Sequence, residues 1–112
     1  MGNYLWGQKM SPEDLYKIIL EIDENWGVSN ITVDDLKEEV SVYIEYLKSK
    51  AKDPVTGEEC SLYDHREERT WRHLDTMQYK TYIKCLVPRV QNSEGKVSTI
   101  AVPWANKLDR VT

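Results

Sequence analysis

Apolar residues recur at Leu15, Ile18, Ile19 and Ile22, the three-and-four spacing of one helix face. Ser11 precedes them as an N-cap, Pro12 suits the first helical position, and Asp14 lies three residues after the cap. The pattern predicts a helix from Pro12 to Glu24, stopped at Gly27. The period then changes to two. Ile31 and Val33 alternate with polar neighbours, and Val40, Val42, Ile44 and Tyr46 alternate with Ser41, Tyr43 and Glu45. Asp34, Asp35 and Lys37 form a turn between them, so a hairpin packed on the helix is expected. Residues 48–59, with Pro54 and Gly57, read as a polar loop and a hinge. Beyond it, strands are expected over 69–74, around Trp71, and over 77–90. In the longer one Met77, Tyr79, Ile83, Cys85 and Val87 share a face, and Lys80, Tyr82, Lys84 and Leu86 share the other. Residues 92–96, NSEGK, form a turn and 97–102 a last strand, ended by Pro103, with Trp104 folding back as an apolar plug. The expected fold class is α+β, an N-terminal helix packed on a β-hairpin followed by an antiparallel β subregion.

The chain has 112 residues, enough for one core but not two. Residues 1–10 read as a flexible leader and 11–112 as a single domain, with subregions 11–50 and 51–112. Hydrophobic residues make up 40% and charged residues 30%, as in soluble globular proteins. No apolar run approaches the roughly 20 residues of a membrane span, and no signal peptide is visible. Two cysteines cannot build a disulfide framework, so a cytoplasmic protein with reduced thiols and no membrane partner is expected. The net charge of −4 is unevenly spread. Residues 1–50 hold 5 basic and 10 acidic side chains, whereas residues 51–112 hold 10 basic and 9 acidic. Nucleic acid could approach the second half if its cations cluster on one face.

No Gly-rich phosphate loop or nucleophile elbow is present. His65, beside Asp64, and His73 could shuttle protons, but their reading as structural or solvent-facing residues is the stronger one. Cys60, His65, His73 and Cys85 are zinc-ligand types, yet four, seven and eleven residues separate them and no C-x-x-C pair exists. Cys85 falls on an apolar strand face and reads as a buried small hydrophobe. A basic and aromatic surface is the third candidate. Arg66, Arg69, Arg72 and His73 surround Trp71, Lys80, Tyr82 and Lys84 share a strand face, and Arg89 follows. Such cations neutralise phosphates and such rings stack on bases. The competing reading is a solvated face laced with ion pairs to Glu67, Glu68 and Asp75.

The run YDHREERTWRHLDTMQYKTYI, then VPRV, then VPWA, resembles the N-terminal region of ISL-three-type insertion-sequence transposases. The helix with its LYKIIL core, the following Trp-Gly and the hairpin agree in order, so the resemblance runs from about Met10 onward. It implies a zinc-ribbon-like subregion, a zinc-binding domain that precedes a helix-turn-helix and a DDE nuclease. Aligned on Cys60 and YDHRE, Asp53 and Thr56 stand where the family's first Cys pair would be, Asn92 near its second Cys and Gly95 near its His. Cys60 alone does not make a tetrahedral site. The expectation is therefore a ribbon without metal or other cofactor, stabilised by its core, with Asp53, Thr56 and Asn92 in solvated turns.

The resemblance implies a non-catalytic DNA-binding accessory domain of a transposase, either a fragment or a stand-alone remnant, since a DDE nuclease needs a larger fold than this chain. Its partner would be double-stranded DNA at the terminal repeats of the element, and its place the prokaryotic cytoplasm, at the nucleoid when DNA-bound. The phosphate-contacting candidates are Arg66, Arg69, Arg72, Lys80, Lys84 and Arg89, with Tyr82 and Trp71 as weaker stacking candidates. The alternative is a protein-interaction module for transposase subunits, carried by exposed Tyr and Trp. A small metalloenzyme or hydrolase built on His65 and His73 ranks third, because no motif gathers nucleophile, base and stabilising donor.

Overall fold

A computed structural model describes residues 4–5, 8–9, 11–105 and 108–111. Most of the expected leader lies outside the described residues; within it, β1 (Tyr4–Leu5) pairs antiparallel with β2 (Gln8–Lys9). The start of α1 (Pro12–Ile19) is capped as its sequence requires, with Ser11 Oγ accepting from the Asp14 amide at 3.1 Å. The helix ends five residues short of Glu24, because the chain reverses at Glu21, which takes φ +55°. Among the described side chains of the helix and its C-cap, Tyr16 and Leu20 are buried, while Leu15 (45%) and Ile18 (60%) of the expected apolar stripe face solvent and the side chain of Ile19 lies outside the described residues. Tyr16 meets His73 edge-on at 6.3 Å. Gly27 does not stop the helix. It lies inside β3 (Trp26–Asp34), where an added Cβ would come within 3.1 Å of Leu47 Cδ1.

The expected hairpin forms, between β3 and β4 (Glu39–Tyr46), with a bulge after Val28. The polar stretch 48–59 is not all loop. It contains β5 (Lys50–Lys52), which pairs with the start of β6 (Glu59–Thr76). β6 is much longer than 69–74, since backbone pairing carries the charged run 64–68 that no apolar alternation marks. β7 (Tyr79–Gln91) runs back antiparallel to it, from Thr76↔Tyr79 to Leu62↔Val90. Met77 is not on the buried face of that strand: it sits at the turn with φ +58° and is 88% exposed. β8 (Val97–Thr99) adds to β7, and β9 (Asp109–Val111) adds to β6.

The decisive pairing is β4 with β7, parallel, from Glu39↔Lys80 to Ile44↔Cys85. It places the hairpin and the ribbon in one sheet of order β3-β4-β7-β6-β5. The protein is thus mostly β, a curled mixed sheet with one short helix, and not the α+β arrangement of a helix on a separate hairpin. Parallel pairing of distant strands leaves no local mark in a sequence, because it requires no turn between them.

The core lies on one face of the sheet. Ile31, Val42, Ile83 and Trp71 stand opposite one another across β3, β4, β7 and β6. Trp104 folds back over this row, fully buried. Its ring meets Trp26 at 5.4 Å and Trp71 at 5.3 Å, both edge-on, and Tyr46 meets Trp26 at 4.9 Å. Edge-on aromatic pairs add about 0.5–1.5 kcal/mol each beyond the area they bury. Trp104→Ala is therefore expected to lower unfolding free energy by about 3–5 kcal/mol in urea titrations. A loss below about 1 kcal/mol would show that the tail does not close the core.

Candidate nucleic-acid interface and ribbon knuckles

Directly opposed residues of paired strands point to the same face. Opposite the core face, β4, β7 and β6 therefore present three rows. Glu39 lies beside Lys80, Ser41 beside Tyr82 and Arg72, and Tyr43 beside Lys84 and Thr70. Lys84 Nζ lies 5.7 Å from the centre of the Tyr43 ring, and the Arg72 guanidinium 5.3 Å from that of Tyr82. This face interleaves rings and cations with Glu39, Ser41 and Thr70. Lys80, Tyr82 and Lys84 share it, as their alternation in the sequence predicts.

The arginines are distributed differently. Arg69 stands opposite Cys85, with Trp71 and His73 on the core-facing side of β6, and is half-buried. Arg72 shares the outer face, but its guanidinium is committed: it pairs with Asp75 and donates to the His73 and Thr81 carbonyls at 2.6 and 3.3 Å. Arg89 forks onto Asp64, with Nε to Oδ1 at 2.7 Å and a second bond from Nη2, and packs over Tyr63. The Asp64 carboxylate holds the Arg89 pKa above its ordinary value. An arginine already neutralised offers a phosphate little net charge. Among the described residues Lys80 and Lys84 carry no ion pair. Arg66 is on β6, but its side chain lies outside the described residues. Trp71 is core and does not face a ligand.

A second basic feature was missed by reading 48–59 as loop. Lys48, Lys50 and Lys52 are exposed along the β5 edge. They line a groove of about 580 Å³ together with Trp26, Tyr46 and Glu59. Their K-x-K-x-K spacing has a strand period, and that was the available signal.

The four zinc-type residues do not assemble. His65 is exposed and His73 half-buried, and no group of three or more His, Cys, Asp or Glu gathers among the described residues. Cys85 is buried on the apolar face, its thiol pushed up to about 12 by burial and, secondarily, by the Glu68 charge. Cys60 is buried too, and donates to the Glu58 carbonyl at 3.4 Å.

The positions that the family resemblance assigns to ligands lie in two turns at one end of the ribbon. The β5–β6 turn holds Asp53 and Thr56, and the β7–β8 turn holds Asn92 and Gly95. Asp53 and Asn92 are not in solvated turns as expected; both are buried. Asp53 Oδ1 accepts from the Val55 amide at 2.9 Å, and Oδ2 accepts from Asn92 Nδ2 at 3.0 Å. Asn92 Oδ1 accepts from the Glu94 and Lys96 amides, both at 2.9 Å. Thr56 Oγ1 accepts from the Glu58 amide at 3.2 Å, and Gly95 has no side chain. Every oxygen that could serve a metal already holds a proton donor, and no thiolate or imidazole is present at the four positions. The residues do not fit zinc. The Val55 amide, followed by the Asn92 amide, keeps the Asp53 carboxyl below its ordinary pKa against the opposing effect of burial.

Two antiparallel hairpins thus bring their turns together at one end. Residues 50–93 match the family described as the zinc-finger of transposase IS204/IS1001/IS1096/IS1165. The resemblance to insertion-sequence transposases therefore stands for the ribbon, from β5 into the second turn; the helix and the β3–β4 hairpin lie outside the match. No curated protein and no solved structure matches the chain.

His73 supplies a pH test of how the helix is held. Burial, followed by the Arg72 charge, lowers its pKa from the ordinary 6.5. The unfolded chain then binds more protons than the native one between the two values. The stabilisation is complete above about pH 6.5 and is lost as pH falls below it. Melting temperature should fall between about pH 7 and 5.5, and His73→Phe, which keeps a ring against Tyr16, should flatten that decline. An unchanged slope in the variant would remove His73 as its source.

Proposed function

We propose that the chain is a non-catalytic accessory domain of a transposase that contacts double-stranded DNA, at the terminal repeats of the element, through the outer face of its sheet. The family match of residues 50–93 carries this reading. The array of Lys80, Tyr82, Lys84 and Tyr43 supports it, since cations outside ion pairs neutralise phosphates while the rings pack against sugars and bases. Lys48, Lys50 and Lys52 form a second basic feature, in the groove along the β5 edge. Arg72 is held on this face by Asp75, whereas Arg89 is engaged by Asp64 and Arg69 lies on the core side of β6, away from it. With few cations available and an acidic hairpin alongside, binding is modest in affinity and steep in salt.

Fluorescence anisotropy with a labelled duplex tests this. K80E/K84E should weaken binding to any duplex and reduce the slope of log affinity against log salt by about two. Equal binding by the folded variant would exclude the outer face. A K48E/K50E/K52E variant reports separately on the edge groove.

A second reading rests on Leu15 and Ile18, which the helix turns to solvent. As a docking row for another transposase subunit, they would make self-association or subunit capture sensitive to L15E/I18E. Sedimentation that is identical for both proteins at high concentration would dismiss it.

A further inference from the structure

The two ribbon turns are small and mostly exposed, and neither has an apolar core of its own. A tetrahedral metal in such a place performs two tasks: it closes each turn on itself and ties the two turns together. Asp53 and Asn92 perform the same two tasks with hydrogen bonds. Each uses one oxygen inside its own turn. Asp53 Oδ1 holds the Val55 amide, and Asn92 Oδ1 holds those of Glu94 and Lys96. Each then uses its remaining polar atom across the gap, Asn92 Nδ2 donating to Asp53 Oδ2 at 3.0 Å over 39 positions of sequence. Glu58 adds a rim contact, its Oε1 accepting from the Ser93 hydroxyl at 3.2 Å and amide at 3.4 Å. Backbone bonds complete the turns, from the Asp53 amide to the Glu58 carbonyl and from the Asn92 amide to the Lys96 carbonyl.

The pair is buried, which decides its weight. A buried carboxylate without donors is costly, whereas one with its oxygens occupied is tolerated and fixes the geometry around it. The assignment of roles is also unequivocal. A carboxylate can only accept, and the amide nitrogen can only donate. Two amides or two carboxylates in the same places would not satisfy the same bonds.

We infer that the Asp53–Asn92 hydrogen bond occupies the structural place of the metal, so that this ribbon folds and stays assembled as a metal-independent unit. The inference does not depend on the DNA reading: the ribbon would be held in this way whatever it binds.

A residue exchange tests it on the full chain. Asn92→Asp sets two carboxylates against each other and should lower the melting temperature at pH 7 by roughly 4–8 °C or more. The carboxylate introduced by that substitution would still accept from the amides of Glu94 and Lys96. Asp53→Asn with Asn92→Asp reverses donor and acceptor across the gap while keeping the bonds to the Val55, Glu94 and Lys96 amides, and should recover most of that loss. An exchange variant no more stable than Asn92→Asp overturns the inference. If Asn92→Asp does not fold, the exchange variant decides alone: near-native melting supports the pair, and failure to fold overturns it. In parallel, the melting temperature of the wild-type protein should be unmoved by a strong chelator and by one equivalent of zinc. A fall on chelation, with zinc released stoichiometrically, would equally overturn it.

Discussion

The β6–β7 ladder is the constraint on which the rest of the molecule depends. A two-residue turn at Met77 and Gln78 sets its register, and the other strands of the main sheet attach to its two sides, β3 by way of β4. β4 and β8 lie along β7, and β9 and β5 along β6. Because side chains alternate along a strand, that one register sorts a dense run of charges between two environments. Trp71 and Ile83 go to the core, and Lys84 and Tyr82 go outward. A slip of one residue would bury the lysines and expose the tryptophan, so the aromatic core and the basic face are specified together.

The electrostatics follow from the same geometry. The ladder brings Asp64 opposite Arg89, and a bulge lets Asp75 reach back to Arg72. These pairs are partly exposed, so each contributes modestly to stability. Their larger effect is on binding, because they withdraw Arg72 and Arg89 from competition for phosphate. The lysines of β7 are left as the cations of the outer face, and those of the β5 edge line a separate groove. The acidic first half enters this surface through β4, which sets Glu39 beside Lys80 and Tyr43 beside Lys84. Tyr79 donates to Asp35 at 2.6 Å and so ties the hairpin turn to the base of the ladder.

At the other end of the ladder, the ribbon turns face the problem common to small loop-rich units, which is too little apolar surface to order the chain. The solution here is polar and buried. Asp53 is reached by donors from its own turn and from the opposite one, and the depressed pKa of its carboxyl reflects those donors. A carboxylate–amide pair is weaker than a metal site, yet it is insensitive to thiol oxidation. The Trp26, Trp71 and Trp104 cluster provides the apolar stabilisation at the middle of the sheet.

Local signals determined a good part of this protein from sequence alone. The Ser11 cap, the β3–β4 hairpin, the alternation along β7, the burial of Cys85 and Trp104, and the likeness of the ribbon to a transposase zinc-finger were all legible, because caps, turns and strand periods act over a few residues. The end of the helix was not, since a left-handed residue at Glu21 overrides the apolar spacing beyond it. Neither was β5, whose exposed lysines conceal a strand behind the single buried Ala51. Tertiary structure alone decided two things: the parallel union of β4 with β7, and the meeting of Asp53 with Asn92. Each joins residues from separate elements of the sheet. Such contacts form only when the sheet assembles, and no periodicity along the chain encodes them.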